Sequence, residues 1–145
     1  MVKTVFGNFF SRALWGSIRL TPLVAALLQR LVAELPDRLR STVEAQFAAY
    51  DLAQREVDGR AVNFYRKGFG IAARRPLPLL AMKLPEAPLV RLAFRLAGDP
   101  GEHHAVLTAV GGRAFCVSFD ADLRPFAAKT DFTAGRVAEA WRSNF

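Results

Sequence analysis

The chain has 145 residues, 52% of them apolar, and its 20 Lys and Arg outnumber 13 Asp and Glu to give a formal net charge of +7. That size suits one domain with one sizeable core, and that charge suits an anionic partner. The single cysteine, Cys116, excludes an internal disulfide and a cysteine-built zinc site within the chain, so a reducing intracellular home is expected. No apolar run reaches the roughly 20 residues of a membrane-spanning helix, because Arg19, Arg30 and Glu34 interrupt the best stretch.

The first 33 residues hold no acid, and Lys3, Arg12, Arg19 and Arg30 stand among Phe6, Phe9, Phe10, Leu14, Trp15 and Ile18. Residues 1–20 read as a basic apolar arm that packs on its own domain or a neighbouring subunit. The same composition resembles a mitochondrial transit segment; against a secretory signal, arginines interrupt the apolar region and no small-residue cleavage pattern follows. The expected location is therefore the bacterial cytoplasm or the mitochondrion, not secretion.

Residues 21–145 read as a single α+β domain. Thr21 and Pro22 start a helix with a hydroxyl cap and proline at its first position, and Leu23, Leu27, Leu31 and Leu35 form its apolar stripe. After Pro36, Asp37 caps a second helix with Leu39, Val43, Phe47 and Tyr50 on one side. The two helices should pair. The turn signal 57–60 joins a short strand to another beginning at Ala61.

Between Gly59 and Pro85 there is again no acid, while Arg60, Arg66, Lys67, Arg74, Arg75 and Lys83 alternate with Phe64, Tyr65, Phe69 and Ile71. Cations beside aromatic planes suit phosphate contact and base stacking, and equally a membrane surface, so these residues form the candidate anion-binding patch. The run Gly68, Phe69, Gly70, Ile71, Ala72, Ala73 matches a relaxed dinucleotide fingerprint, but Pro76 and Pro78 stop the helix that would hold a pyrophosphate. No cofactor is expected.

Four prolines make residues 75–89 a surface connection. Val90, Leu92, Phe94 and Leu96 then alternate with Arg91, Ala93 and Arg95, the period of a strand buried on one face. Two turns follow, at 98–101 and at Gly111 and Gly112, so residues 89–120 form a three-strand meander. A three-residue loop of Gly111, Gly112 and Arg113 would put Phe115, Val117 and Phe119 on the same face as Leu92, Phe94 and Leu96. The opposite face then shows Arg91, Arg95, His104, Thr108, Cys116, Ser118 and Asp120. Thr133 caps a last helix, with Trp141 anchoring it to the core.

His103 and His104 point to opposite faces of their strand and cannot share a metal, so no metal site is expected. In this register His104 faces Asp120, a pair that could orient an imidazole for acid or base work and is more often a cross-strand hydrogen bond. These two are the weak catalytic candidates. Cys116 faces Thr108 rather than a histidine, which argues against a Cys–His dyad.

The expected architecture is two N-terminal helices, an antiparallel sheet of four to six strands and a C-terminal helix packed on it. The expected function is a non-catalytic basic module, an accessory subunit peripheral to a larger anionic assembly such as a membrane complex or a ribonucleoprotein. By order of elements alone the chain resembles helix-grip domains, which implies the alternative of a hydrophobic-ligand or lipid carrier.

Overall fold

The computed structural model describes residues 20–66 and 76–145. Helices α1 (Pro22–Ala33) and α2 (Asp37–Ala49) are followed by strands β1 (Leu52–Arg55), β2 (Ala61–Tyr65), β3 (Glu86–Leu96), β4 (Glu102–Val110), β5 (Arg113–Phe119) and β6 (Phe132–Ala138). The strands form one antiparallel sheet in the order β1-β2-β5-β4-β3-β6. The fold is α+β. No helix among the described residues is long and apolar enough to cross a membrane.

Both helices lie on one face of the sheet and bury their stripes there. Leu23, Leu27, Leu28 and Leu31 of α1 and Val43 and Phe47 of α2 meet Val62, Phe64, Leu92, Leu107 and Val117 in one apolar cluster. Thr21 caps α1 as expected, its hydroxyl accepting from the Val24 amide. Asp37 does not cap α2. Pro36 holds that position, and Asp37 lies in the first turn, where its charge suits the helix dipole and pairs with Arg40.

Gln46 is the one fully buried polar side chain of α2. Its amide nitrogen donates to the carbonyls of Pro78 (2.7 Å) and Gly112 (2.9 Å), and its oxygen accepts from the Ala114 amide at 2.8 Å. Tyr50 adds a hydroxyl bond to the Ala114 carbonyl, and burial pushes its phenol up to about 12 against the pull of Arg113. The two side chains pin the β4–β5 turn and the 76–85 connection to the helix layer.

The β4–β5 turn departs from expectation. The β4–β5 loop has two residues, not three: Gly111 and Gly112 take φ of 58° and 82°, and Val110 pairs with Arg113. The extra residue sits instead in a bulge at Phe115, so Ala114 pairs inward with Ala109, while Thr108 still faces Cys116. Val117 and Phe119 are inward as expected, and Phe115 is not: it lies on the other face, edge-on to Tyr65 at 5.4 Å.

The expected C-terminal helix is a strand followed by a short 3-10 turn, Ala140–Ser143. Gly135 weakens a helix at that place, whereas Phe132, Ala134 and Val137 pair with Leu96, Phe94 and Leu92 to extend the sheet. Trp141 does anchor the end of the chain, 6% exposed. Strand β3 also begins earlier than its alternation suggests and carries Pro88. It tolerates that proline because β6 covers β3 only from Arg91 onward, and the ladder to β4 bulges at that point.

Candidate functional site

With both helices on one face, the opposite face of the sheet has no helix over it among the described residues. Alternation decides what it carries: Asn63 and Tyr65 from β2, Arg113, Phe115, Cys116 and Ser118 from β5, Glu102, His104, Val106 and Thr108 from β4, Glu86, Arg91, Ala93 and Arg95 from β3, and Arg136 from β6. Small and β-branched side chains make the middle smooth. The cations gather towards the β3–β6 side.

There, a depression of about 430 Å³ is lined by Arg91, Ala93, Glu102, His104, Arg136 and Ala138. Its geometry follows from pairing. Arg91 stands opposite Ala138, Ala93 stands opposite His104, and a bulge in β6 sets Gly135 and Arg136 against Ala93. Two alanines thus form the floor and two guanidiniums stand at its sides. Among the described residues neither Arg91 nor Arg136 has an ion-pair partner, whereas Arg95 is tied to the Pro100 carbonyl at 2.8 Å.

His104 is held at the rim. Its Nδ1 lies 2.8 Å from Asp120 Oδ2, its backbone amide donates to Asp120 Oδ1 at 3.0 Å, and its Nε2 is 3.4 Å from Glu102 Oε1. Burial raises the Asp120 carboxyl, but the hydrogen bonds and charge of His104 outweigh it and hold the group below the usual carboxylate range. The expected pair is therefore present, with both ring nitrogens beside carboxylates. His103 points the other way, between Phe94 and Phe126, and bonds to Asp99 at 2.7 Å. Among the described residues no His, Cys, Asp and Glu side chains are grouped to hold a metal. Cys116 stands opposite Thr108, as expected, and burial together with Glu56 and Glu86 pushes its thiol up to about 11, the wrong direction for a nucleophile.

The candidate patch does not form as one surface from its described members. Arg60 and Arg66 flank β2 at opposite ends, roughly 20 Å apart at strand rise. Lys83 lies in the 76–85 connection, where its amide donates to Asn144. Phe64 is a core residue, 1% exposed, edge-on to Phe47 and stacked on Tyr50, and is lost to any stacking role. Tyr65, its neighbour, is half-buried on the helix-free face. Lys67, Phe69, Arg74, Arg75 and the glycine-rich run lie outside the described residues, as do residues 1–19 of the arm.

The cationic residues that do converge were legible only in part. Arg91 and Arg95 stand out by alternation, but Arg136 lies in a segment that reads as helix. Its signal was Gly135, a poor helix residue, with Phe132 and Ala134 two apart just before it.

No family model, no curated protein and no solved structure matches the chain.

Proposed function

We propose that the protein is a non-catalytic binding module, an accessory subunit that lays the helix-free face of its sheet on the single-stranded nucleic acid of a larger assembly. The observation behind this reading is the Arg91–Arg136 pair, two cations without ion-pair partners among the described residues, side by side over a floor of Ala93 and Ala138. A diagonal of about 20 Å, from strand spacing and rise, separates them from Tyr65 and Phe115 on the same face. Arginines on phosphates and aromatic planes under bases are the two elements of sequence-tolerant single-strand binding. A bilayer suits the surface less well. Among the described residues the exposed large apolar side chains are few, Val57 in the β1–β2 turn and Leu79, Leu84 and Val110 where the 76–85 connection meets the β4–β5 turn, and none lines the Arg91–Arg136 depression.

Fluorescence anisotropy of a labelled single-stranded RNA, with anionic vesicles in parallel, tests this reading. Binding should weaken steeply with salt, and changing Arg91 and Arg136 to Ala together should flatten the log–log slope by about 1.4, at about 0.7 per phosphate contact. Tyr65→Ala should weaken binding and leave the slope unchanged. No binding at low salt, or an unchanged double variant, refutes the proposal; binding to vesicles alone replaces it with a membrane-surface role.

A further inference from the structure

On the helix side of the sheet, a second cleft of about 400 Å³ opens between the start of α1 and the β1 edge. Val24, Ala53, Val62, Phe119 and Leu123 wall it, and Arg55 and Arg124 stand at its mouth. The volume is that of a small-ligand site, and the lining has the form such sites take, apolar walls with few charged groups.

Arg55 is out of pattern. It pairs with Val62, so it lies on the face where the neighbouring strands place Ala53, Val62, Phe64 and Val117. A cation on the core side of a sheet needs an anion or water beyond the core. Arg55 makes no ion pair among the described residues; its side chain is exposed to water, and its charge lies near enough to Asp122 to help hold that carboxyl low. Arg124, in contrast, is consumed: it grips the Asp122 carboxylate with Nε and Nη2 and donates from Nη1 to the Val57 carbonyl at 3.2 Å. That grip is built in, because a Cβ at Gly59, whose φ is 71°, would collide with the Asp122 carboxylate. Of the two charged side chains that line the cleft, Arg124 is paired with Asp122 and Arg55 is the one left to face a ligand. The first amides of α1 are already bonded, Leu23 to the Ala127 carbonyl and Val24 to Thr21, so an anion here would be held by Arg55 rather than by the helix end.

We infer that this cleft binds a single-chain amphiphile, a medium-length carboxylate, with its tail on Val24, Val62 and Phe119 and its head at Arg55. The site is separate from the helix-free face and stands or falls independently of nucleic-acid binding. The competing role for Arg55 is to guard an edge, since inward-pointing charge on an edge strand such as β1 blocks pairing with other chains.

Calorimetric titration of the full chain with decanoate, decanol and acetate decides between them. Decanoate should bind about tenfold more tightly than decanol, the worth of one charge-assisted contact, and acetate should not bind. Arg55→Ala should bring decanoate down to the decanol level and leave decanol unchanged. Ala53→Trp, which fills the cleft from the edge strand, should abolish both at an unchanged unfolding midpoint. If that variant does not fold, the decanoate-to-decanol ratio in Arg55→Ala still decides. Equal affinity for decanoate and decanol in the unaltered protein, no saturable binding, or an Arg55→Ala variant that self-associates yet binds decanoate normally overturns the inference.

Discussion

Gln46→Leu removes an amide and keeps nearly the same volume, so it isolates the polar link between α2 and the β4–β5 turn. Three hydrogen bonds are lost, yet the three partners fare differently. The Gly112 carbonyl keeps the Leu80 amide at 2.8 Å, and Pro78 is an exposed residue whose carbonyl can turn to water. The Ala114 amide, beside the bulge and under the helix, has neither escape. An orphaned buried donor costs about 1–3 kcal/mol, and the two lost amide bonds add about 0.5–1.5 kcal/mol each, less what the apolar leucine recovers. The expected loss is about 2–4 kcal/mol, or a fall in melting temperature on the order of 10 °C for a chain of this size. Urea unfolding followed by tryptophan fluorescence and circular dichroism measures it. Gln46→Glu should be worse still, because it sets a carboxylate against two carbonyls. A Gln46→Leu variant within about 0.5 kcal/mol of the parent, below the least cost of an orphaned buried donor, would refute the account of the turn.

Acid should unfold the protein through carboxylates held low in the native state. Asp122 is lowered to about 2 by its hydrogen bonds and ion pair with Arg124, Asp99 by the Gly101 amide and His103, and Asp120 by His104 despite its burial. Because these native values lie below the unfolded one, their stabilisation is present above about pH 4 and is lost as pH falls towards 2. Asp122→Asn should therefore be less stable at neutral pH, with the two stability curves converging near pH 2; parallel curves across that range would contradict the assignment. The Cys116 thiol, pushed up to about 11 from 9.0, should carry about 100-fold less thiolate near neutral pH than an unperturbed one. Ellman's reagent should accordingly react slowly with the native protein and fast in denaturant, and equal rates would show that the thiol is not perturbed.

Much of the fold could be read directly. The leucine stripe of α1, the alternation of Val90 to Leu96 and the turn glycines each report a period or a backbone preference that is local to a few residues. The facing of His104 and Asp120 was legible too, since it needs only the count of residues between two strands. What misled was a different kind of information. The segment 132–138 has a threonine and alanines that suit a helix start, and nothing within it reveals that the edge of β3 lies open beside it. The bulge at Phe115 is equally non-local. It restores the frame after a tight two-glycine turn, and a bulge and a longer loop predict the same pairing of Thr108 with Cys116.

The candidate site shows the same division. The excess of cations, the single thiol and the polar face of the meander follow from composition and alternation. Tertiary structure alone brings Arg136 beside Arg91, because only pairing of β6 to β3 joins residues so far apart in the chain. It also withdraws Phe64 from the surface, since α2 covers that face and leaves Tyr65 on the other. Periodicity tells which residues share a face; which face the helices bury is settled by packing between distant segments.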